Sequence, residues 1–328
     1  MTRLDTDDAV ATEASSECDG PKALLLETRE VPLGGVRAMA VRRALPQRDL
    51  PLVGAWCFLD RFGPQVTRMR VEPHPHIGLQ TVAWPFVGEV RHRDTIGSDV
   101  VVRRGALNLM TSGAGIAHSE YSVGEDAVPL DALQLWVALP EGRRHGAPAF
   151  ERHEDLPVIP LEAVDGADGN ATVVLGSFGG AESPATAYTP IVGAELRIPA
   201  GSRVRVRLDE AWEHALVGVD GDVTVMTAAE TFVSLDAEHL LYLGVRRDSV
   251  EVASTMGATL FLLGGEPFED DIVMWWNFVG RSHEEIVQAR EDWEAASARF
   301  GHVVDHGDER IPAPPLPAVR LTRRRRRV

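Results

Sequence analysis

Between residues 23 and 139, short apolar runs alternate with turn signals. Stretches 36–41, 79–87, 89–93 and 133–139 read as strands, punctuated by Gly34-Gly35, Gly63-Pro64, Gly88, Gly97 and the Gly113/Gly115 pair. Many short strands at this spacing predict a barrel or a sandwich. Residues 140–170 are richer in Pro, Gly, Asp and Glu and read as a crossover. The strand pattern then returns at 172–175, 194–198, 202–208, 214–219, 222–226, 240–245 and 259–263. The two β-rich stretches have similar lengths. Phe86-Val-Gly-Glu-Val90 is echoed by Val219-Asp-Gly-Asp-Val223, each an apolar residue and a tight turn between two strands, which points to a duplication. One helix stands out, over 282–300. Ser282 and Glu285 form a capping box. Ile286, Ala289, Trp293, Ala296 and Phe300 fall on one helical face, and Gly301 is the expected C-cap. The Trp293 face should pack on a sheet.

A chain of 328 residues has room for two domains. Its net charge of −16 is unevenly spread. Residues 1–20 hold six acids and one Arg, residues 311–328 hold six Arg and no acid, and 21–310 hold 26 basic and 43 acidic residues. The acidic body argues against a broad nucleic-acid surface or an anionic membrane face. The arginine run from Arg323 to Arg327 reads as a solvated tail, with an electrostatic clamp for RNA, DNA or an acidic partner as the other reading. Two cysteines, Cys18 and Cys57, make no disulfide framework. The polar, acidic N-terminus is no signal peptide, and apolar runs such as 258–263 are too short to span a bilayer. A soluble, cytoplasmic, monomeric protein is expected.

Two short motifs carry candidate chemistry. In His74-Pro75-His76, residues two apart on a strand point to the same side, and Pro75 biases His74 toward extended backbone. His118-Ser119-Glu120 aims an imidazole and a carboxylate the same way. Either pair alone also reads as ordinary polar surface. Together, on separate strands of one β-rich half, three imidazoles and a carboxylate suit Fe, Mn, Cu, Ni or Zn rather than an all-oxygen Ca or Mg site. His302 and His306 have the spacing of a helical zinc pair, but Gly301 and Gly307 interrupt any helix there, so neither is assigned a role.

These residues carry a family resemblance. Pro73-His-Pro-His-Ile-Gly78, Gly88-Glu-Val-Arg-His-Arg-Asp94 and Met110-Thr-Ser-Gly-Ala-Gly-Ile-Ala-His-Ser-Glu120 resemble the pirin family of the cupin superfamily. Phe58-Leu-Asp-Arg-Phe-Gly-Pro64, Gln134-Leu-Trp-Val-Ala-Leu-Pro140, Leu263-Gly-Gly-Glu-Pro267 and the lead into the helix at 277–286 fit in the same order. The resemblance spans roughly 23–300. It implies an all-β bicupin: two tandem jelly-roll-type cupin β-barrels with a C-terminal helix packed on them. The expected division is a disordered acidic arm at 1–22, an N-terminal metal-binding barrel at 23–145 and a linker at 146–170. A metal-free C-terminal barrel with its helix follows at 171–304, then a Pro/Arg-rich tail at 305–328.

The resemblance implies one divalent transition metal, iron(II) first with Mn, Ni, Cu or Zn open, held by His74, His76, His118 and Glu120. His214 and His239 stand apart from any matching pair in the second half. Many family members have a Glu four residues after the second His of the first motif, where this chain has Gln80. Some bacterial pirins resemble quercetinases, which open a flavonol with O2. On that reading Glu120 is the candidate base, and Gln80, Trp84, Met110 and Trp136 are candidate pocket residues, with ordinary barrel core as the competing reading. A small phenolic ligand is then the expected partner. The alternative is a non-catalytic, iron-dependent regulator that binds a transcription or metabolic protein.

Overall fold

The strand Ser202–Arg207 shows how the sheets are built: Ser202, Val204 and Val206 are buried, and the arginines between them are not. The strand Leu79–Val87 is buried on both faces, because one lines its own barrel and the other meets the second barrel. The computed structural model describes residues 20–33, 39–228 and 231–323. Residues 1–19 of the expected arm, and Arg324 to Arg327 of the arginine run, lie outside the described residues.

In the first barrel, one sheet runs in the order Ala149–His153, Leu107–Thr111, Leu79–Val87, Val128–Ala138, Trp56–Thr67, Met39–Leu45 and Arg29–Leu33. It packs on a second sheet ordered Arg70–His76, Ile116–Ser122, Val90–Asp94 and Asp99–Val102. The second barrel repeats this plan. Its larger sheet runs Pro21–Glu27, His239–Gly244, Glu213–Asp220, Ala258–Gly265, Ile191–Ile198, Gly169–Phe178 and Val158–Leu161. Its smaller sheet runs Ala163–Asp165, Ser202–Arg207, Ser249–Ser254, Val223–Ala228 and Thr231–Leu235. The echoed turns at 86–90 and 219–223 occupy equivalent places in the two plans.

One outermost strand crosses between the barrels, and the expected linker is taken up by edge strands. Pro21–Glu27, expected in the arm and the first barrel, pairs with His239–Gly244 of the second. Ala149–His153, expected in a linker, pairs with Leu107–Thr111 of the first. Val158–Leu161 and Ala163–Asp165, also within the expected linker, join the second barrel's two sheets. Each of these edge strands covers an edge that would otherwise present unpaired backbone groups.

A shared core joins the barrels, with Trp56, Trp84, Leu133 and Leu135 of the first meeting Val174, Val217, Tyr242 and Phe261 of the second. Polar groups within it are satisfied across the seam. Trp84 Nε1 donates to Glu195 Oε2 at 2.7 Å, Trp56 Nε1 to the Val192 carbonyl at 3.0 Å, and the Gly54 N–H to Glu213 Oε2 at 2.7 Å.

The helix His283–Glu294 begins as expected, with the Ser282 side chain accepting from the Glu285 N–H. It stops six residues before the expected end at Phe300. Ala296 takes a positive φ of 51°, which breaks the helix ahead of Gly301. Trp293 and Phe300 still pack edge to face and share a core with Ile77 and Ala117 of the first barrel. The expected tail is also corrected. Ala313 is buried in that same core, with Leu316 and Leu321 packed against it. No helix among the described residues is long and apolar enough to cross a membrane.

Candidate metal centre

The paired strands Arg70–His76 and Ile116–Ser122 carry the four predicted ligands. Their register places His118 opposite His74 and Ile116 opposite His76. It then slips, so that Glu120 faces Val71. The slip is a bulge at Glu72-Pro73, and a bulge tolerates the proline that lacks a ladder donor. On its other side Ile116–Ser122 pairs with Val90–Asp94, placing Glu120 opposite His92 and His118 opposite Asp94.

His74, His76 and His118 converge, all buried, with their nearest ring nitrogens within 4.8 Å of one another. His74 Nδ1 donates to the Glu72 carbonyl at 2.9 Å and His76 Nδ1 to the Asn277 carbonyl at 3.1 Å, which leaves both Nε2 atoms as free acceptors. His76 Nε2 and His118 Nε2 stand 3.1 Å apart. Two nitrogens at about 2.1 Å from one ion and about 90° apart would be separated by about 3.0 Å, so the spacing fits a shared divalent metal. Glu120 completes a second trio with His118 and His92.

Behind His118 runs a buried chain. His118 Nδ1 lies 3.2 Å from His92 Nδ1, and His92 Nε2 lies 3.2 Å from Asp94 Oδ2. Asp94 Oδ1 accepts from the Ile96 and Ser98 N–H groups at 3.0 and 2.9 Å. Phe150, on the edge strand Ala149–His153, stacks on the His92 ring with centroids 4.8 Å apart. Such outer partners fix which nitrogen of a ligating histidine faces the metal.

The electrostatics suit ligation. Burial pushes His74 down to about 4 and holds His76 and His118 well below the usual imidazole value, so all three are neutral near pH 7. Burial pushes Glu120 up to about 7. Burial also raises Asp94, but the hydrogen bonds from His92 and Ser98 outweigh it and hold the carboxyl below its usual value.

A cavity of about 670 Å³ opens on His74, His76 and Glu120. Trp136 lines it, as expected, and stacks on Phe58 with centroids 3.9 Å apart and planes 13° off parallel. The Arg43 guanidinium lies 4.5 Å from the centre of the Phe58 ring and is clamped by both oxygens of buried Asp60 at 2.7 Å. The other three expected pocket residues lie elsewhere. Gln80 and Trp84 share the strand face of Val82, which meets the second barrel; Gln80 donates to Thr111 Oγ1 and to the Thr186 carbonyl, both at 3.0 Å. Met110 is buried between its register partners Thr81 and Phe150 and does not line the cavity.

The sequence reading assigned no role to His92, Phe58, Arg43, Gln134 or Ile311, of which the last four line the cavity. For His92 the signal was present, because His92-x-Asp94 repeats the two-residue spacing of the other motifs. His306, also given no role, is buried, with its Nε2 2.6 Å from Ser119 Oγ. In the second barrel, register places Val206, Val225, Val250 and Val252 where the first has His74, His92, His118 and Glu120, and all four lie in its apolar core.

Comparison with known proteins agrees with this architecture. Residues 38–137 match the Pirin family and residues 193–301 the Pirin C-terminal cupin domain. A Pseudomonas aeruginosa protein named as a proposed quercetin 2,3-dioxygenase is 39% identical over 95% of this chain and 97% of its own length. A pirin-like protein of Caulobacter vibrioides is 32% identical over 89% of this chain and 99% of its own. The crystal structure of quercetin 2,3-dioxygenase from Acinetobacter baumannii superposes with a TM-score of 0.82 at 35% identity, covering 91% of this chain and 97% of that one. Two barrels on one plan, a buried histidine cluster in the first, and matches to both halves lead to one conclusion: the chain belongs to the pirin family of the cupin superfamily.

Proposed function

We propose that the protein is a mononuclear metal dioxygenase acting on flavonol-type phenols, with His74, His76, His118 and Glu120 as ligands and iron(II) as the metal. The observation that carries this reading is the aromatic-walled cavity of about 670 Å³ opening directly on the histidine–glutamate cluster. A purely structural metal would need no such approach. A bound divalent metal would supply Lewis acidity toward a substrate hydroxyl and redox access to O2.

The chain's residues supply the rest. Trp136, backed by the stacked Phe58 ring, gives the cavity an aromatic wall that a phenolic ring can contact. Arg43 and Asp60 hold Phe58 in place from its other side. Glu120, the carboxylate of the cluster that lines the cavity, is the base placed to accept the proton of the substrate hydroxyl. Apolar walls around it limit competing water. The likeness to a solved quercetin 2,3-dioxygenase supports the substrate class.

The test is anaerobic loading with Fe(II), Mn(II), Ni(II) or Cu(II), then exposure to O2 with quercetin. Loss of the flavonol absorbance with carbon monoxide release is the expected result. No turnover with any of these metals would sink the reading for that substrate.

A further inference from the structure

The segment after the helix follows the first barrel closely and ends at the cavity. His306 Nε2 meets Ser119 Oγ at 2.6 Å, between His118 and Glu120 in sequence. The Ile311 N–H donates to the Pro73 carbonyl at 2.8 Å, one residue before His74. The Ile311 carbonyl accepts from Trp293 Nε1 at 2.9 Å. The Ala313 N–H donates to Glu294 Oε1 at 2.8 Å, and the Pro314 carbonyl accepts from Arg290 Nε at 2.8 Å. Ile311, Pro312 and Pro314 line the cavity, and Ile311 also packs on the cluster of Phe62 and Val71. The match to the Pirin C-terminal cupin domain ends at residue 301, before any of these residues.

Irregular backbone makes a poor wall for an apolar cavity, because its N–H groups need partners. This segment avoids that cost. Prolines 312 and 314 have no N–H to satisfy, and the N–H groups of Ile311 and Ala313 are both bonded. What remains is an apolar strip fastened to both ligand-bearing strands. We propose that Ile311, Pro312 and Pro314 are specificity-determining residues: they form a fixed wall that sets how large a flat phenol reaches the cluster. The proposal rests on the phenol-binding half of the reading above and is independent of turnover.

Binding of two probes, quercetin and the single-ring catechol, to the full metal-loaded chain tests it, read by quenching of tryptophan fluorescence. Ile311→Phe is expected to weaken quercetin at least about tenfold, as overpacked carbons do in a tight site, and to leave catechol unchanged. Pro312→Gly, which adds no bulk and frees the strip, is expected to flatten the preference between the probes. It also serves if Ile311→Phe folds poorly. Metal content and melting temperature are measured alongside. Equal shifts for both probes, no shift, or a wild-type chain that binds neither probe would each overturn the proposal. Quercetin that binds with this size dependence but is never consumed leaves the wall standing and removes only the oxygenase reading. Quercetin that is consumed without size dependence removes only the wall.

Discussion

The chain from Asp94 through His92 to His118 makes a directional prediction. For His118 to offer a bare Nε2 toward His76, its Nδ1 must carry the proton and donate to His92 Nδ1, 3.2 Å away. His92 must then be protonated on Nε2, donating to Asp94 Oδ2. In the Asp94→Asn variant the side-chain oxygen is pinned by the Ile96 and Ser98 N–H groups. The new NH2 therefore faces His92 Nε2 and donates to it. The polarity then reverses along the chain, and the proton of His118 moves to the Nε2 that should hold metal. Loss of an outer partner costs ten- to a hundredfold in metal affinity, or about 1.4 to 2.7 kcal/mol. His92, Asp94 and His118 are 4%, 1% and 1% exposed, so water has no room to substitute and the upper part of that range is expected. The assay is chelator competition with Co(II) and Zn(II), with the Co(II) absorption bands reporting the ligand field. Because the substitution is isosteric and His92 stays stacked on Phe150, metal-free stability should change far less than affinity. Unchanged affinity in Asp94→Asn would refute the tautomer argument.

Three further predictions follow from buried polar groups. In the metal-free protein the Glu120 carboxyl is raised from 4.5 to about 7, so its contribution to stability is present below about pH 4.5 and lost as pH rises through 7. The Glu120→Gln variant should therefore gain about 2.5 kcal/mol over the metal-free wild type at pH 8 relative to pH 5; urea unfolding at the two pH values measures it, and a pH-independent difference would contradict it. Trp84→Phe removes the donor to buried Glu195 at the seam and should cost about 1–3 kcal/mol while leaving metal affinity intact; loss of metal affinity would return Trp84 to the site. Burial pushes the Cys57 thiol up to about 12, so its alkylation, followed by peptide mass, should track global unfolding, and fast labelling of the folded protein would contradict its placement.

The convergence of His74, His76 and His118 was legible in part because strand geometry has a period of two, which puts His74 with His76 and His118 with Glu120; that Glu120 groups with His118 and His92 was not. The pocket was legible in part. Trp84 and Trp136 sit in strands buried on both faces, where alternation shows that two faces differ but not which one lines the cavity. Only the second barrel's position settles that Trp84 faces the seam and Trp136 the cavity. Composition misread residues 305–323. Prolines that suggest a solvated tail also suit a wall, because they bring no unpaired donor. The exchanged strand Pro21–Glu27 was illegible for another reason: its alternating burial fits any sheet edge, and its partner lies at the far end of the chain.

That exchange constrains how the protein is made. Leu24 leaves the ribosome early, yet its partner Tyr242 is synthesised only after the whole first barrel. The first barrel, by contrast, is built from one contiguous stretch, residues 29–153, closed by Ala149–His153. The second barrel cannot reach its final edge pairing from its own contiguous stretch of chain. The distant pairing is slow to find, and until it forms the edge at His239–Gly244 stays open. The second barrel is therefore completed only when the segment ahead of the first barrel joins it, and a cut between the barrels would leave the second with an open edge at His239–Gly244.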